Sequence, residues 1–550
     1  TYSTSVKKDF VSNNIFLLGK TWGFLKYYHP QIAAGKYDWD KELIEFLPDY
    51  VKATTIKERN DLLESWIKKF GDVPVCESCN ESISTTAKLK PAFDWIQNNE
   101  LSSSLVSMLQ NIKKNRIQNG QYYIKFYPEE NINYAEFQHE PSYSNLQFPN
   151  DGYSLLSLFR IWNIIEYWYP YKYDLPVPWD TILKQFIPKM LALKNTQEYT
   201  ALIAALMTKI HDSHVFFRSA LMEEMTGKYF MPFTIKVIEN KILVTSILND
   251  SLAALSNVQV GDIIESIENA LLPAMIEKYK EIISASNEGS FLQKLSYNLT
   301  RTSNANSHIS IQRNNTNFKT ITSNYIPNIF KPVYLDPTYF SYAKDSAFCI
   351  INDQIGYLNV GNFNRKDSLE LEKMMGSVSK LIIDNRQNQD EQNGTGGGDI
   401  IANLILPADN NFVRFSTLDP TYPGVFTLTA PTNMGTQFNT NYFKGNIIIL
   451  INENTMSVGE FLTMAFQKAE KAHTLGTTTA GADGNVVYVG LPGGISLQFT
   501  GLGVYYPDGS ETQRVGIQPD IMVEQTIEGY RKNNDEQLNK AVEYLQKTGK

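Results

Sequence analysis

The fold is decided by the stretch Gly445-Asn-Ile-Ile-Ile-Leu-Ile-Asn-Glu-Asn-Thr-Met-Ser-Val-Gly-Glu-Phe-Leu-Thr-Met-Ala-Phe-Gln467. Residues 447–451 are all Ile or Leu, which is typical of a strand buried on both faces of a parallel sheet. From Val458 onward the apolar residues recur at helical spacing. The sequence therefore predicts a buried strand, a turn and a helix in direct succession.

Ser457 lies at this junction of strand and helix. A Ser in that place points its hydroxyl out of the sheet, and the first N–H groups of the helix, including that of Val458, can stabilise a developing oxyanion. That is the geometry that acyl-transfer enzymes need. The alternative is a helix N-cap, with Glu460 three residues on completing a capping box. Taken alone, the motif favours the cap.

The composition narrows the class of protein. At 550 residues the chain is too long for one hydrophobic core, so we expect three or four domains. Its 42% hydrophobic and 12% aromatic content excludes wholesale disorder, and its net charge of −8 gives no electrostatic reason to expect nucleic-acid binding. No apolar run has the length of a membrane span. The opening Thr-Tyr-Ser-Thr-Ser has no leader pattern, so we expect a cytoplasmic protein or an exported one whose signal has been removed.

The only cysteines are Cys76, Cys79 and Cys349. The Cys76-Glu-Ser-Cys79 spacing fits half a zinc site or a redox pair, but no second Cys or His pair follows and no βαβ pattern surrounds it. We therefore expect no metal site. A local disulfide in an oxidising compartment is favoured over free thiols, which weakly supports export.

The first half of the chain contains an internal repeat. Residues 15–74 align without a gap on residues 155–214, at a constant offset of 140. Matching pairs are Trp22 with Trp162, Tyr27 with Tyr167, Pro30 with Pro170, Trp39 with Trp179 and Phe46 with Phe186. Both copies have helical patterns, so the sequence predicts a duplicated helical unit stacked on itself.

The two copies end differently. The first ends Gly71-Asp-Val-Pro74 and the second ends His211-Asp-Ser-His214. The shared Asp fits a scaffold role such as capping. His214 stands where the first copy has a Pro, so it is a candidate for chemistry, with a surface His at a helix end as the equal alternative.

Residues 75–150 are polar and irregular, and we expect a connecting segment with some helix around 93–115. Residues 228–325 change character and predict a small domain that opens with a hairpin turning at Glu239-Asn240. Its predicted elements are strands at 233–238 and 242–247, a helix at 251–256, and strands at 258–267 and 309–313. This order resembles a PDZ domain, which implies pairing of an extended peptide with a sheet edge. The alternative is a small α/β domain without a ligand.

From about residue 335 the pattern alternates strand and helix, which predicts a mostly parallel, doubly wound α/β domain. Its predicted elements are strands at 355–360, 380–384 and 446–452, and helices at 366–378, from 399 and from 458. Ligands of such sheets bind at the carboxyl ends of strands.

A second informative loop follows the strand that ends Asp384-Asn-Arg386, and it leads to Gly394-Thr-Gly-Gly-Gly398. It lacks the Lys-Ser/Thr and the glycine spacing of phosphate-binding loops. Its glycines can turn a backbone N–H inward as the second donor of an oxyanion hole. A flexible loop at a helix start is the alternative.

Together these motifs resemble the carboxyl-terminal processing, or tail-specific, serine peptidase family, and more closely its tricorn-core-like branch. The resemblance covers roughly residues 150–525. The matching phrases are Asp212-Ser-His214, Ile355-Gly-Tyr357, Ile382-Ile-Asp-Asn-Arg386, Gly396-Gly-Gly398, Thr455-Met-Ser-Val-Gly-Glu460 and Val515-Gly-Ile-Gln-Pro-Asp520. Each phrase is weak alone, but their order and spacing make the match strong.

The resemblance implies a role for each matching residue. Ser457 would be the nucleophile, His214 the general base and Ser213 a residue that holds the histidine or its network. The N–H of Val458 and that of Gly397 or Gly398 would form the oxyanion hole.

Other members of the family use a Ser/Lys dyad, but Ala482 stands where that lysine would be. The sequence therefore favours Ser/His, and we expect activity at neutral pH. One departure concerns the residue that orients the histidine, where the tricorn-like pattern has Glu and this sequence has Gln513. Glu511, two residues earlier, is the alternative, and both are candidates.

We thus expect a multidomain α/β protein. Its predicted parts are an N-terminal helical domain at 1–150, a helical segment carrying Ser213 and His214 at 151–226, a PDZ-like domain at 227–328 and an α/β catalytic domain of the ClpP/crotonase-like kind at 329–550.

The expected function is a secreted or periplasmic serine endopeptidase that acts on peptide or unfolded protein. It needs no cofactor, metal, nucleotide or nucleic-acid partner. The alternative is a catalytically impaired relative that binds peptides or a polymer, suggested by Gln513 and the long loop at 384–398. A carbohydrate-binding role rests only on the many aromatics, which core packing explains better. Relatives form rings or cages, but nothing in this sequence demonstrates an oligomer.

Overall fold

The computed structural model describes residues 2–80, 82–129, 132–327, 346–389, 395–435 and 439–548, with the backbone alone at 2–8 and 128–129. Among the helices of these ranges, none combines the length and apolar character needed to cross a bilayer. In the same ranges, no cluster of three or more His, Cys, Asp or Glu side chains is arranged to hold a metal ion.

The N-terminal half is mostly helical and shows the duplication that the sequence predicts. Its elements are α1 (Tyr2–Tyr28), α2 (Pro30–Ala33), α3 (Trp39–Tyr50), α4 (Ile56–Lys68), α5 (Ser103–Lys114), β1 (Ile124–Glu129), β2 (Ile132–Phe137), α6 (Asp151–Trp168), α7 (Trp179–Met190) and α8 (Thr196–Met207). Helices α3 and α7 begin and end at the same offset as the sequence repeat. The prediction of a duplicated helical unit is therefore confirmed.

In each copy of the repeat, the same pair of hydrogen bonds joins two buried Trp residues. The indole Nε1 of Trp22 donates to the Trp39 carbonyl, and that of Trp39 donates to the Trp22 carbonyl. Trp162 and Trp179 repeat this exchange in the second copy, at 2.9 Å in both directions. Buried indole N–H groups need acceptors, so the exchange satisfies both donors of each pair.

The copies pack on each other through α1 and α6. A Cβ atom at Gly23 would lie 1.8 Å from Cγ of Asn163, so only glycine permits this approach. The Asn163 amide donates to the Gly19 carbonyl at 3.0 Å. Arg160 of the second copy also pairs with Asp40 of the first, at 2.5 Å. The stacking of the duplicated unit thus combines close backbone contact with buried polar bonds.

The connecting segment contains more structure than the sequence predicts. Helix α5 lies within the expected helical region, but strands β1 and β2 form a hairpin where irregular chain was expected. The prediction failed because the hairpin depends on a distant partner: the Asn133 N–H donates to Oγ1 of Thr417. Cys76 and Cys79 form the predicted disulfide.

Residues 216–323 form a β-rich unit. Its elements are β3 (Phe216–Arg218), α9 (Ala220–Thr226), β4 (Tyr229–Phe230), β5 (Phe233–Ile238), β6 (Lys241–Ile247), α10 (Asp250–Leu255), β7 (Ile263–Ile267), β8 (Ala270–Leu271), α11 (Leu272–Lys280), α12 (Glu288–Leu299), β9 (Arg301–Thr302), β10 (Asn306–Arg313) and β11 (Thr316–Ser323). The hairpin β5–β6 is confirmed, and Glu239 and Asn240 take the positive φ angles that its tight turn requires. The main sheet has the order β11-β10-β7-β6-β5, with α12 packed beside β5.

The C-terminal half is built on a mostly parallel sheet. Its elements are β12 (Phe348–Asn352), β13 (Ile355–Asn359), α13 (Ser368–Gly376), β14 (Lys380–Asp384), α14 (Gly398–Ile405), β15 (Arg414–Leu418), β16 (Phe426–Leu428), β17 (Asn446–Ile451), α15 (Val458–Phe466), β18 (Ala472–Gly476), β19 (Val486–Leu491), β20 (Ile495–Thr500), β21 (Val504–Tyr505), β22 (Ile521–Met522), α16 (Ile527–Arg531) and α17 (Glu536–Lys547). The sheet order is β12-β13-β14-β17-β18-β22, and only β12 pairs antiparallel. The predicted parallel strands are confirmed.

The prediction of a doubly wound sheet is wrong. Along the described strands the spatial order follows the chain order without reversal. Right-handed crossovers that always step in one direction leave their helices on one face, and α13, α14 and α15 all pack on that face. The other face is covered by α17, through Leu538, Ala541 and Leu545.

A small second sheet brings the two halves together. Strand β3, which follows the second helical copy, pairs with β20 of the C-terminal half in the order β19-β20-β3. The hydrophobic cluster of the helical region also includes side chains of β19 and β20, such as Val487 and Leu497. This pairing places the chain around His214 beside the end of β20. The domain boundaries at 150, 226 and 328 stay predictions.

Candidate active site

Ser457 occupies a strained turn at the carboxyl end of β17. Its backbone has φ +56° and ψ −120°, a conformation that costs free energy for any residue except glycine. Its N–H donates to the Ala482 carbonyl at 2.8 Å. The interpretation of Ser457 as an N-cap is wrong, because its side chain makes no capping bond. The Glu460 carboxylate accepts from the N–H groups of Gly481 and Ala482.

Two asparagines of the loop after β14 hold this turn. The Asn388 amide donates to the Met456 carbonyl at 2.5 Å, and its Oδ1 accepts from the Met456 N–H at 3.4 Å. The Asn385 amide donates to the Gly459 carbonyl at 2.8 Å. Backbone groups on both sides of Ser457 are therefore fixed by one loop, which offsets the strain of the turn.

The two glycines predicted for the oxyanion hole lie at the start of α14. Gly397 has φ +114°, which favours glycine, and it caps the helix. At Gly398 a Cβ atom would lie 2.4 Å from the Leu462 side chain of α15. The N-termini of α14 and α15 thus approach each other, and the first N–H groups of both helices have no intrahelical acceptor.

His214 is buried, with 4% of its surface exposed, so the prediction of a surface histidine is excluded. Its ring Nδ1 lies 2.8 Å from Oγ1 of Thr500. The Thr500 hydroxyl donates to the Asp212 carboxylate at 2.9 Å. Because the Thr500 hydroxyl donates its only proton to Asp212, its oxygen must accept from His214 Nδ1–H. His214 therefore carries its proton on Nδ1.

The other ring nitrogen of His214 is available as a base. Its Nε2 atom is buried and has no hydrogen-bond partner among the described residues. Burial lowers the pKa of His214 below its ordinary value, and the Asp212 charge opposes that effect. The imidazole is therefore neutral at pH 7, with a lone pair on Nε2.

The Asp212 carboxylate accepts several further hydrogen bonds of this network. It accepts from the N–H groups of His214 and Thr500, at 2.9 and 2.8 Å, and from the Gln513 amide at 3.3 Å. The shared Asp of the repeat thus holds two backbone N–H groups, as its expected scaffold role requires, and also lies in the candidate site. Thr500 ends a strand without a distinguishing motif, so sequence reasoning could not have found it.

The structure separates the two candidate orienting residues. Gln513 lies against Asp212, whereas Glu511 accepts from the Tyr173 hydroxyl at 2.6 Å and lies 3.6 Å from the Lys88 ammonium. Glu511 makes no hydrogen bond to His214 or Asp212 in the described network. Of the two candidates, the neutral Gln513 is therefore the one that contacts Asp212, the residue that holds the His214 network.

Ser213 ties the histidine loop to its neighbours. Its hydroxyl donates to Oγ of Ser290 at 2.8 Å, and it also lies 3.2 Å from the Ala480 carbonyl. Ala482, at the other end of this short segment, accepts from the Ser457 N–H. The segment 480–482 therefore lies between Ser213 and Ser457. Ser457 and the loop of His214 thus bond to opposite ends of this segment, and no hydrogen bond joins the Ser457 and His214 side chains among the described residues.

A buried carboxyl pair lies behind the Ser457 turn. Glu460 and Asp483 are both inaccessible to water. Burial raises the pKa of Glu460 to about 7, and burial together with repulsion by Glu460 raises the pKa of Asp483 well above its ordinary value. Glu460 receives three donors, Thr479 Oγ1 and the two N–H groups named above, whereas Oδ2 of Asp483 has no partner in the described chain. Asp483 is therefore the group that keeps a proton.

Part of the C-terminal half is similar to a known peptidase family. Residues 354–523 match the model described as peptidase family S41. The carboxy-terminal-processing protease of Bartonella bacilliformis is 33% identical over 95 residues, which are 17% of this chain and 22% of that protein. The chain thus matches about a fifth of the length of this curated relative.

Two solved structures share the fold. Mature CPAF complexed with lactacystin has a TM-score of 0.52 and 15% identity, over 72% of this chain and 97% of that one. Mature CPAF by itself gives the same TM-score and identity, over 72% and 96%. At this identity the likeness concerns the fold alone. The family match spans Ser457 and the Gly-rich loop, so residues 354–523 are similar to peptidase family S41.

Proposed function

We propose that the protein is a serine endopeptidase that hydrolyses peptide bonds through an acyl-enzyme on Ser457, with His214 as the general base. The observation that supports it most is the His214 ring, which is buried, neutral and anchored at Nδ1 while Nε2 has no partner among the described residues. A base needs a free lone pair at working pH. The buried His29 also has a partnerless Nε2 in the described chain, but its Nδ1 accepts from the Gln31 N–H, so its proton is on Nε2 and no lone pair is offered there.

The reaction follows from these groups. His214 Nε2 takes the Ser457 hydroxyl proton as Oγ attacks the peptide carbonyl, and the N–H groups of Val458 and of Gly397 or Gly398 stabilise the oxyanion. The imidazolium then protonates the leaving amine, the C–N bond breaks and an ester remains on Ser457. Water attacks this ester with His214 again as base. Ser213 and Gln513 position the histidine loop without touching substrate.

The proposal requires that Ser457 Oγ and His214 Nε2 come within hydrogen-bond reach, because no bond joins them among the described residues. Apo peptidase sites are often loose and tighten on substrate. Helix α12 of the β-rich unit contacts both halves: Ser290 bonds to Ser213, and Gln293 bonds to Asn454, three residues before the nucleophile. A small shift of α12 would change the separation of Ser457 and His214.

We further propose that residues 227–328 are a PDZ-like module that engages an extended peptide or a carboxyl terminus. The edge strand β5 beside α12 supports this assignment. The Val237 N–H of that edge donates to Oγ of Ser296 at 3.3 Å, so peptide pairing would have to displace this bond. The disulfide supports a periplasmic or extracellular location.

The decisive experiment is the Ser457→Ala variant, assayed with fluorescein-labelled casein as an unfolded substrate and with a fluorophosphonate probe. The parent should label on Ser457 and hydrolyse casein, and the variant should lose both, with turnover down by at least about 10⁴-fold. Circular dichroism checks that the variant is folded. Retained hydrolysis by Ser457→Ala would overturn the proposal.

The second candidate is a catalytically impaired relative that binds peptides. It is favoured by the missing Ser457–His214 bond and by Gln513, which cannot stabilise an imidazolium by charge. A parent protein that neither labels with fluorophosphonate nor hydrolyses casein, yet binds peptide, would establish this reading.

A further inference from the structure

Helix α12 belongs to the β-rich unit, yet it directs a lysine at the chain around His214. Lys294 is buried, with 8% of its surface exposed, and its ammonium donates to the Val215 carbonyl at 3.1 Å and to the Ser284 carbonyl at 2.8 Å. Val215 is the residue after His214. An ammonium has three donors, so Lys294 uses two of them to restrain backbone beside the histidine.

Ser284 extends this restraint to the other side of the histidine. The Asp212 N–H donates to Oγ of Ser284 at 3.2 Å, and the Ser284 hydroxyl donates to the Asp212 carbonyl at 3.0 Å. Lys294 therefore holds the loop at 211–215 directly at Val215 and, through Ser284, at Asp212. The backbone on both sides of His214 is fixed from one side chain of α12.

The charge of Lys294 also acts on the histidine ring. Burial lowers the pKa of His214, the Asp212 charge raises it and the Lys294 charge lowers it. Burial lowers the pKa of Lys294 itself to about 8, and the Asp212 charge opposes this effect. The ammonium is therefore still charged in the pH range where a histidine titrates. It offsets the charge of Asp212, which by itself favours an imidazolium.

The other charged groups near Lys294 line a cavity of about 600 Å³ beside α12. They are Arg218, Arg301 and Glu223. The pKa of His214 responds to Asp212 and Lys294 and not to these three groups. The uncharged side chains around the Asp212 carboxylate are Thr500, Gln513 and Tyr169. The charge balance at the histidine ring thus involves one anion and one cation.

We propose that Lys294 is a positioning residue for His214: it fixes the loop at 211–215 from both sides and balances the charge of Asp212, so that the imidazole stays neutral. The inference rests on the proposed role of His214 as the base. It differs from the Ser/Lys arrangement, in which the lysine would stand at Ala482, because Lys294 acts through the histidine loop. Lys294 also lies outside residues 354–523, which match the peptidase family.

The test measures the titration midpoint of His214 in the full chain, through the ring Cε1–H signals of ¹³C-histidine-labelled protein. The chain has six histidines, and a His214→Gln variant assigns the signal. Lys294→Met removes the charge and should move the midpoint to higher pH, because the Asp212 charge is then unopposed. Lys294→Arg keeps the charge and should stay near the parent midpoint. If Lys294→Met does not fold, Lys294→Gln removes the same charge.

Two results would overturn the proposal. One is an equal midpoint, or no titration before acid unfolding, in both the parent and the variant that lacks the charge. The other is a rise in Lys294→Arg as large as that in Lys294→Met, because the charge would then have no part in the effect.

Lys380→Met is the matched control. Lys380 is likewise buried, and its ammonium also donates to two backbone carbonyls, those of Leu545 and Thr548. It lies at the start of β14, at the opposite end of the strand from the loop that holds the Ser457 turn. Its loss should lower stability without moving the His214 midpoint. A rise like that of Lys294→Met would mean that loosened packing, and not the charge, sets the midpoint.

Steady-state kinetics on a fluorogenic peptide separate this inference from the proposed function. In Lys294→Met, kcat should fall about ten- to a hundredfold with KM nearly unchanged, because the histidine loop is less well held. The acid limb of kcat/KM should move to higher pH together with the midpoint. An active Lys294→Met variant with the parent kcat would contradict the positioning role. An inactive parent would contradict the proposed function, and the midpoint would still decide the charge balance.

Discussion

Thr500 places a hydroxyl between the His214 ring and the Asp212 carboxylate. Its single proton goes to Asp212, so it can only accept from Nδ1, and one tautomer of the ring results. The carboxylate thus acts on the histidine through an intermediate group and not by direct contact. Because Gln513 adds only a neutral amide, the stabilisation of an imidazolium depends on Asp212.

Thr500→Val should lower kcat/KM by roughly 10²- to 10⁴-fold, the range of a general base contribution, with KM nearly unchanged. Valine has the same shape but cannot relay the hydrogen bond, so the ring loses its fixed tautomer. Steady-state kinetics on a fluorogenic peptide measure the effect, and Thr500→Ser should restore most of it. A rise in KM alone would show that Thr500 serves substrate binding.

The pH profile should reflect the lowered pKa of His214. Since the base must be neutral, kcat/KM should fall only as the pH drops below 6.5, with its midpoint below that value. The same group contributes stability above its unfolded pKa and loses it as the pH falls through the folded pKa. A midpoint above 6.5 in the kcat/KM profile would exclude this buried histidine as the base.

At the level of elements, α15 starts from a turn that is held on two sides. The loop after β14 holds it through Asn388, and the segment 481–482 holds it through Glu460, which lies one turn into the helix. Asp483 follows this segment and carries the buried proton. The turn at Ser457 therefore rests on a carboxyl pair whose charge state depends on pH.

Asp483→Asn should flatten the pH dependence of stability. The folded pKa of Asp483 is raised, so its stabilising contribution is complete below the unfolded pKa and is lost as the pH rises towards the folded value. One such proton corresponds to about 1.4 kcal/mol of unfolding free energy per pH unit. Urea unfolding at pH 5, 6, 7 and 8 measures the slope. Equal slopes in parent and variant would mean that Asp483 is ionised in the folded protein.

Helices α1 and α6 should not tolerate a side chain at their contact. Gly23→Ala places a Cβ against Asn163, whose amide bonds to Gly19 and Phe159 prevent it from moving away, so we expect a loss of about 2 kcal/mol. Gly376→Ala at the exposed end of α13 meets no atom within 4 Å and is the matched control. Similar unfolding free energies for the two variants would argue against this packing.

At the scale of the molecule, one hydrophobic cluster crosses the predicted domain boundaries. It contains side chains of α1 and α6 together with Leu418, Tyr422 and Phe426 of the C-terminal half. Buried polar bonds follow the same path: the Arg160 guanidinium donates to the Gly490 carbonyl, and the Tyr28 hydroxyl donates to the Pro423 carbonyl. The helical region thus supports the parallel sheet of the C-terminal half.

A chain shortened to residues 151–550 should therefore fail to fold stably. Removal of the first copy exposes the α6 face and the apolar side chains that pack on it, which costs far more than the usual stability of a domain. Soluble expression and thermal unfolding measure the outcome beside the 550-residue chain. A shortened chain with unchanged Tm would show that residues 1–150 form an independent unit.

Local patterns determined much of this protein. The apolar run at 447–451, the repeat offset and the Glu239-Asn240 turn each depend on neighbours in sequence, and each appears in the structure as expected. The candidates Ser457 and His214 also come from contiguous motifs, and their catalytic roles stay proposals.

Only the tertiary structure decided how these motifs meet. The pairing of β3 with β20 brings Thr500 to His214, and residues 286 positions apart cannot be matched by periodicity. The winding of the sheet and the contact of Gln513, not Glu511, with Asp212 likewise depend on contacts between distant segments. Local sequence specifies which elements form, whereas long-range packing specifies which side chains share a site.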